Sequence, residues 1–191
     1  MIDILLNYIS HIEPLTDEES KAIRDITVMK TYPKGTTLLK EGEISKECYF
    51  ILSGLIREFH IREGEEITTN FYNEEQWVLS ATSFISGTPA NHYFTTLEET
   101  TVVVGGEEKE NQLYESFPRF AEISKTIMEK GFAEQQNRLS LFLTSSPEQR
   151  YLSLMESHAH LLQRVPQYQL ASYIGVKPES LSRIRKRLAT Q

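Results

Sequence analysis

The chain has 191 residues, of which 25% are charged and 39% are hydrophobic, and its formal net charge is −7 at pH 7. This composition is typical of a globular protein with one large core or two small ones. No apolar run approaches the roughly 20 residues that a membrane-spanning helix needs. The single cysteine, Cys48, excludes an internal disulfide and an iron–sulfur cluster, which takes about four ligands. We therefore expect a cytoplasmic protein without a membrane partner.

The charges are unevenly distributed along the chain. From Arg150 to the C-terminus, seven basic residues stand against two acidic ones, a net charge of +5. The preceding part holds the other 13 basic and 25 acidic residues, a net charge of −12. Because charges are screened over about 8 Å at physiological salt, the two parts act as separate electrostatic fields. The basic C-terminal part is therefore predicted to bind the partner.

The N-terminal part is predicted to form two helices followed by an antiparallel β-roll. Residues 2–28 contain two helical patterns, and Thr16 with Glu19 forms a capping box for the second. From residue 28 to about residue 105 the hydrophobic period approaches two, and glycines interrupt the apolar runs. The strands are predicted at residues 28–32, 36–39, 47–53, 55–61, 66–72, 76–79, 92–97 and 100–104.

Three helices are predicted between the roll and the C-terminal segment. They are a short acidic helix at 107–116, a long helix from Pro118 to about Leu143, and a helix at 147–162. Pro147 stands at the first position of the last of these, after a serine suited to an N-cap. The joint at 143–147 is therefore predicted to be a hinge between two close domains.

The segment from Arg164 to Leu188 has the pattern of two short helices joined by a glycine turn. Gly175 stands where the first helix needs a left-handed stop, and Pro178 suits the first position of the second. At about 100° per residue, apolar residues fall on one side of the second helix and charged residues on the other. The apolar residues are Leu181, Ile184 and Leu188, and the charged ones are Glu179, Arg183 and Lys186. The pattern favours a DNA-binding helix-turn-helix over a solvated helical hairpin.

This segment resembles the helix-turn-helix of the Crp/Fnr family of bacterial transcription regulators. The pattern Glu179-x-x-Ser182-Arg183 is similar to the E-x-x-S-R reading motif of the Fnr branch. The resemblance implies a TTGA-like half-site, in which Arg183 and Glu179 address the G·C pair and Ser182 a neighbouring base. The full set of predicted DNA-binding residues is Gln167, Tyr168, Lys177, Glu179, Ser180, Ser182, Arg183, Lys186 and Arg187.

The segment from Lys34 to Phe59 resembles the opening of the β-roll in cyclic-nucleotide-binding domains. Gly35, Gly42 and Gly54 match turns that need a positive φ, and apolar residues between them match the filling of the roll. In that family, the following segment binds the ribose and the cyclic phosphate through a glycine, a glutamate, a helix N-terminus and an arginine.

The ligand-binding positions of that family are substituted in this sequence. Leu79 and Ser80 stand where the glycine and the glutamate are expected, and Ala90 or Asn91 where the arginine is expected. Because a buried phosphate without a guanidinium partner would be poorly compensated, cAMP and cGMP are not expected to bind. Two interpretations of the segment stay open: a pocket for another effector, or hydroxyls that cap a short helix. The pocket would be lined by Leu79, Ser80, Ala81, Thr82 and Asn91, and no cofactor or metal is predicted.

The resemblance covers roughly residues 8–190 and implies an α+β fold class. It implies a β-roll sensor domain with flanking helices at 1–116, a long dimerisation helix at 117–143 and an all-α helix-turn-helix domain at 144–191. The dimerisation helix would bury Phe120, Ile123, Ile127, Phe132 and Leu139 against a second copy; the alternative is a helix packed only on its own roll. Family members continue into a β-hairpin wing, which is missing from this sequence, so fewer phosphate contacts are expected.

Together these patterns predict a homodimeric transcription regulator that reads a palindromic DNA site. Double-stranded DNA and a second copy are the expected partners, and RNA polymerase and a small-molecule effector are further candidates. The alternative is a ligand-binding or protein-interaction module whose C-terminal helices dock on a partner protein. An enzyme is not expected, because the sequence has no Gly-rich phosphate loop, metal-ligand cluster or Ser/Cys-His constellation with convincing spacing.

Overall fold

A computed structural model describes residues 1–189, and at positions 107 and 109 it describes the backbone alone. Two helices open the chain, α1 (Ile2–Ser10) and α2 (Asp17–Ile26). The backbone N–H of Glu19 donates to Thr16 Oγ1 at 3.2 Å, and the N–H of Thr16 donates to the Glu19 carboxylate at 2.8 Å. The predicted capping box is therefore confirmed.

Eight strands follow and form two four-stranded antiparallel sheets. Their order is β1-β8-β3-β6 in one sheet and β2-β7-β4-β5 in the other. The strands are β1 (Val28–Tyr32), β2 (Thr37–Leu39), β3 (Cys48–Ser53), β4 (Ile56–Arg62), β5 (Glu65–Tyr72), β6 (Trp77–Val78), β7 (Tyr93–Thr96) and β8 (Thr100–Gly105). All eight predicted strands are confirmed, with bounds that differ by no more than one residue at either end.

Strand β3 supplies side chains to two separate apolar cores. Tyr49 and Ile51 point into the roll, where they join residues of the other strands. Phe50 and Leu52 point the other way, into a cluster with residues of α1, α2 and β8. Successive side chains of a strand face opposite sides, so a strand with a continuous apolar run is buried on both faces. The helices that flank the roll are therefore held by the outer face of β3.

Gly54 occupies a turn in which no other residue would fit. Its φ is +108°, and a Cβ atom would lie 2.5 Å from Thr100 Oγ1 and 2.6 Å from Thr100 Cα. Both the backbone conformation and the close approach of β8 therefore require glycine. This is the third glycine of the roll pattern found in the sequence.

Within residues 1–189, the remaining elements are seven helices. They are α3 (Ala81–Ser86), α4 (Glu107–Ser116), α5 (Arg119–Thr144), α6 (Pro147–Ser157), α7 (Leu161–Arg164), α8 (Gln167–Tyr173) and α9 (Pro178–Leu188). The prediction of one helix over 147–162 is wrong, because α6 ends at Ser157 and α7 is separate. His158 leaves the helical conformation with φ −140° and ψ 44°, and the Ser157 hydroxyl bonds back to the carbonyl of Ser153 at 2.6 Å. The break lets Leu161 turn inward, where it is buried.

The described chain forms two compact units. The first comprises residues 1–58 and 71–130, and the second comprises residues 59–70 and the chain from residue 131 onward. The second unit thus contains the tip of the β4–β5 hairpin as well as the C-terminal helices. The predicted domain limits at residues 116 and 143 stay a prediction. No helix within residues 1–189 is long and apolar enough to cross a lipid bilayer.

Candidate nucleic-acid interface

Helices α8 and α9 form the predicted helix-turn-helix. Helix α8 ends in a Schellman motif, in which the N–H of Val176 donates to Ala171 O at 2.9 Å and the N–H of Gly175 donates to Ser172 O at 3.0 Å. Gly175 has the left-handed φ of +76° that this motif needs. Helix α9 then begins with Pro178 at its first position, as predicted.

The two sides of α9 differ as the helical wheel predicts. Leu181 and Ile184 are 1% and 9% exposed, and they pack in the second unit with the buried residues of α8. Leu188 is half-buried. The opposite side carries exposed polar and charged groups, which are Glu179, Ser182, Arg183 and Lys186. The apolar side therefore anchors the helix, and a row of hydrogen-bonding groups faces outward.

The structure brings most of the predicted DNA-binding residues to the surface of α8, the turn and α9. Ser180 is half-buried, and the others are exposed: Gln167, Tyr168, Lys177, Glu179, Ser182, Arg183, Lys186 and Arg187. Arg187 forms an ion pair with Glu148 of α6. Its guanidinium is therefore shared with a carboxylate of the protein, a contact that the predicted role in DNA binding did not include.

Sequence reasoning missed Arg150 of α6, which was counted only as a positive charge. Its Nε donates to Ile174 O at 2.9 Å, and its Nη1 donates to Ser145 O at 2.6 Å and to Phe142 O at 3.0 Å. The guanidinium also lies 4.6 Å from the centroid of the Phe142 ring. No local pattern indicates these contacts, because the acceptors are backbone groups of two other segments.

A second contact missed from the sequence joins α8 to the tip of the β4–β5 hairpin. The N–H of Thr68 donates to Ser172 Oγ at 2.9 Å, and that hydroxyl donates to Glu66 O at 3.2 Å. Arg138 of α5 also donates to the Asn70 side chain. Hairpin, α5 and α8 are thus hydrogen-bonded within the second unit.

The assignment of Phe120 and Ile123 to a dimer surface is corrected by the structure. Each is 2% exposed and packs in the cluster that holds α1 and α2 on β3. Ile127 packs at the edge of the same cluster. The first turns of α5 therefore cover their own protomer, as the alternative interpretation predicted for the whole helix. A second copy cannot bury side chains that the protomer has already buried.

The later turns of α5 carry exposed apolar side chains. The exposed fractions are 53% for Met128, 66% for Phe132, 54% for Leu139 and 73% for Leu143. At about 100° per residue, these four positions fall within roughly 60° of one another on the helix surface. We call Met128, Phe132, Leu139 and Leu143 the α5 stripe.

The predicted ligand-pocket residues lie around the short helix α3 and in the loop before β7. Ser80 is buried at the N-cap position of α3, but its hydroxyl makes no capping bond. The nearby hydroxyl of Ser83 accepts from the backbone N–H of Ser45 at 2.8 Å. The alternative in which these hydroxyls cap the helix is therefore not supported at Ser80. Leu79 is half-buried, and Ala81, Thr82 and Asn91 are exposed.

Comparison with known proteins assigns the roll and the overall fold. Residues 29–117 match the family described as Cyclic nucleotide-binding domain. The catabolite activator protein of Thermus thermophilus aligns with 94% of this chain and 86% of its own, at 20% identity and a TM-score of 0.56. The c-di-GMP responsive global regulator CLP of Xanthomonas campestris aligns with 92% of both chains, at 16% identity and a TM-score of 0.70.

FixK2 from Bradyrhizobium japonicum is also similar, over 86% of this chain and 85% of its own, at 16% identity and a TM-score of 0.72. Among curated proteins, none matches the sequence significantly. Residues 29–117 of the chain are therefore similar to a cyclic nucleotide-binding domain, and the helix-turn-helix of α8 and α9 follows them. The fold of the chain is that of Crp/Fnr-family transcription regulators, which confirms the predicted resemblance and the α+β fold class.

Proposed function

We propose that this protein is a sequence-specific DNA-binding transcription regulator of the Crp/Fnr type. The observation that carries the proposal is the exposed side of α9, where Glu179, Ser182 and Arg183 face away from a buried apolar side. A planar guanidinium can donate to guanine O6 and N7 together, which distinguishes this base from the others in the major groove. Arg183 and Glu179 then read a G·C pair of a TTGA-like half-site, and Ser182 reads a neighbouring base.

The other predicted residues position the reading helix on the phosphate backbone. Lysine, arginine, glutamine, serine and tyrosine side chains are common phosphate ligands, and they fix register without reading sequence. This role falls to Gln167, Tyr168, Lys177, Ser180, Lys186 and Arg187. The net charge of +5 from Arg150 onward supports the role, because it gives this part of an otherwise acidic chain an attraction for nucleic acid.

The proposed assembly is a homodimer paired through the α5 stripe. Contiguous exposed apolar side chains on a helix mark an interaction surface, and a two-fold dimer brings the same surface of both copies together. Two α9 helices then enter successive major grooves about 34–36 Å apart. The site is correspondingly a palindrome of two half-sites. In a cell, such a regulator acts in the cytoplasm, and RNA polymerase is its further partner.

The roll is proposed to act without cAMP or cGMP, as a scaffold or as a sensor of another small molecule. Leu79 and Ser80 stand where the glycine and the glutamate of the family's ligand site are expected, and Ala90 or Asn91 stands where the arginine is expected. None of these residues can supply the positive charge that a buried cyclic phosphate requires. Calorimetric titration of the protein with either nucleotide is expected to give no binding heat, and saturable binding would overturn this part of the proposal.

Selection of duplexes from a random pool tests the main proposal, with and without cell extract. We expect enrichment of a palindrome containing TTGA-like half-sites. Affinity for the enriched duplex should fall steeply with salt, since neutralised phosphates release their counterions. A protein-interaction module would enrich no sequence, so recovery of an unselected pool under both conditions would contradict DNA reading. Enrichment that requires extract would show that an effector is needed.

A further inference from the structure

We infer that Arg150 is a positioning residue that sets the angle and spacing of the two reading helices on DNA. It would do so by joining the turn of the helix-turn-helix to the C-terminal end of α5. The inference rests on the proposed function, because it concerns how α9 is presented to a symmetric duplex. Arg150 itself lies on α6 and belongs to neither the reading face nor the α5 stripe.

The three carbonyls that Arg150 binds lie at or just beyond the C-terminal ends of helices, where regular helical donors run out. Phe142 O lies in the last turn of α5, where its helical donor would be the N–H of Ser146. That N–H instead donates to Gln149 Oε1 at 2.8 Å, as part of the capping box that starts α6. Ser145 O follows the helix end, and Ile174 O lies at the C-cap of α8. One guanidinium thus satisfies carbonyl groups of two separate segments, one at Phe142 and Ser145 and the other at Ile174.

The charge of Arg150 also suits this position. Carbonyl groups at the C-terminus of a helix carry the negative end of its dipole, and a cation there stabilises it. Helix α5 has 26 residues, so its terminal carbonyls are aligned over several turns. The guanidinium stacks on the Phe142 ring at 4.6 Å to the centroid, which fixes its plane. A lysine ammonium has neither the planar fork nor the stacking surface.

Gly175 shows how closely the turn approaches this joint. A Cβ atom at Gly175 would lie 3.0 Å from Phe142 Cζ and 3.5 Å from Arg150 Nη2. The turn therefore rests directly on the Phe142–Arg150 pair. Helix α9 begins at Pro178, three residues after this contact. A change in the joint would therefore be transmitted to α9 through a connection of two residues, Val176 and Lys177.

The consequence is specific to symmetric sites. Helix α5 carries the stripe proposed to pair two copies, and α9 carries the reading face. Arg150 connects the segments that bear them. Loosening this connection leaves each reading helix intact but lets the two helices adopt several separations, so the preference for one half-site spacing weakens. Contact with a single half-site depends on α9 alone and is largely preserved.

Arg150→Met is the test, with Arg150→Lys as the conservative variant. Exposed Arg62 of the hairpin tip provides the matched control Arg62→Met, which removes one positive charge elsewhere in the same unit. Binding is measured to the enriched palindrome, to palindromes with one or two base pairs inserted or removed at the centre, and to a duplex with one half-site. Circular dichroism and thermal melting monitor folding.

For Arg150→Met we expect at least about fivefold weaker binding to the palindrome, as the loss of hydrogen bonds from a charged group predicts. Discrimination between spacings should be reduced, and binding to the single half-site should change less than about twofold. For Arg150→Lys, the affinity for the palindrome and the discrimination between spacings should lie between those of Arg150→Met and the parent protein. Arg62→Met should keep the spacing preference of the parent.

Three outcomes would overturn the inference. One is an unchanged spacing preference in Arg150→Met, and another is an equal loss on the palindrome and on the single half-site. If Arg150→Met does not fold, Phe142→Leu, which removes the stacking surface but keeps the carbonyls, must show the same spacing effect. An unchanged spacing preference in Phe142→Leu is the third such outcome. A parent protein that binds no duplex at all would instead contradict the proposed function.

Discussion

At the scale of single residues, Arg183 and Lys186 share the exposed side of α9 but differ in chemistry. A guanidinium has a fixed planar set of donors and can match the two acceptors of guanine. An ammonium is a compact charge on a flexible stem, and it neutralises phosphate without recognising a base. Position on the helix therefore does not determine the role by itself.

Arg183→Ala should lose roughly 1–3 kcal/mol of binding free energy on the enriched duplex and relax the choice of base at one position of each half-site. Lys186→Ala should weaken binding to all duplexes about equally. It should also reduce the magnitude of the slope of log affinity against log salt concentration by about one. Both are measured by fluorescence anisotropy at several salt concentrations. If Arg183→Ala bound the enriched duplex as well as the parent while Lys186→Ala did not, the division of roles would be wrong.

His158 provides a pH-dependent contribution to stability. Burial lowers the pKa of His158 below its usual value of 6.5, with further lowering by His160 and Arg138 and an opposing effect of Glu134. The folded protein thus favours the neutral imidazole, whose Nδ1 lies 2.8 Å from the Ser157 hydroxyl. The unfolded chain binds the proton more readily, so this contribution is present above pH 6.5 and is lost as pH falls through the lowered pKa.

Unfolding by urea at a series of pH values tests this contribution, with His158→Gln as the comparison. The parent should lose more stability than the variant as the pH falls below about 6.5. Subtracting one curve from the other removes the titration of the carboxylates and the other histidines. Parallel curves would show that His158 titrates alike in the folded and unfolded states.

At the scale of elements, the β4–β5 hairpin and α8 are joined through one side chain. Ser172 Oγ accepts from the N–H of Thr68 and donates to Glu66 O. Thr68 is 3% exposed, so its amide has little access to water as an alternative partner. A buried amide that loses its acceptor costs more than an exposed one. The hydroxyl therefore stabilises the attachment of the hairpin tip within the second unit.

Ser172→Ala should lower the free energy of unfolding by about 1–3 kcal/mol, because it removes the hydroxyl that accepts from the Thr68 amide and donates to Glu66 O. Amide hydrogen exchange at Thr68 should become faster, since it reports opening at that site. Ser182→Ala, on the exposed side of α9, is a suitable control for the change in helix propensity. Unchanged exchange at Thr68 would mean that the hydroxyl does not hold the hairpin.

Helix α5 illustrates how one element can face two environments. The sequence shows a single apolar side interrupted near Gly131, and it predicts that this side has one role. In the structure, Phe120 and Ile123 complete the protomer core, whereas Phe132 and Leu139 are largely exposed. Along α5, Phe120 and Ile123 belong to the first compact unit, which ends at residue 130, and Phe132 and Leu139 belong to the second. An apolar periodicity identifies a buried side but does not say which partner buries it.

At the scale of the whole molecule, the proposed function requires two copies. In the proposed function, a single α9 would read one half-site, and the affinity for a palindrome would depend on both α9 helices binding together. The α5 stripe is the exposed surface proposed to hold them together. Transfer of its side chains from water to a partner helix would contribute roughly 25 cal/mol per Å² of apolar area.

The double variant Phe132→Glu/Leu139→Glu should convert a dimer to a monomer, because paired helices would then bury carboxylates without partners. Sedimentation velocity measures the mass of the species in solution. Ile85→Glu is the matched control, since Ile85 of α3 is 67% exposed and lies outside the stripe. A double variant that keeps the mass of two chains, or a parent protein with the mass of one, would contradict pairing through this stripe.

The sequence by itself determined the elements whose causes are local. The strands of the roll, the capping box of α2, the N-cap of α6, the glycine stop of α8 and the two sides of α9 all depend on residues within a few positions of each other. Such patterns are visible without a fold because hydrophobic period and turn geometry act over short separations. The break after Ser157 was not predicted, because no glycine or proline marks it in the sequence.

Tertiary structure alone decided which distant groups meet. Arg150 lies 24 residues from the carbonyl of Ile174, and Ser172 lies 104 residues from the amide of Thr68. An arginine or a serine in the sequence does not indicate such a partner, because the groups that Arg150 and Ser172 bind are backbone groups common to every position. The burial of Phe120 and Ile123 has the same origin, since it depends on the outer face of β3 being free to receive α5. Local chemistry specified the reading helix, whereas packing over long separations specified how that helix is held.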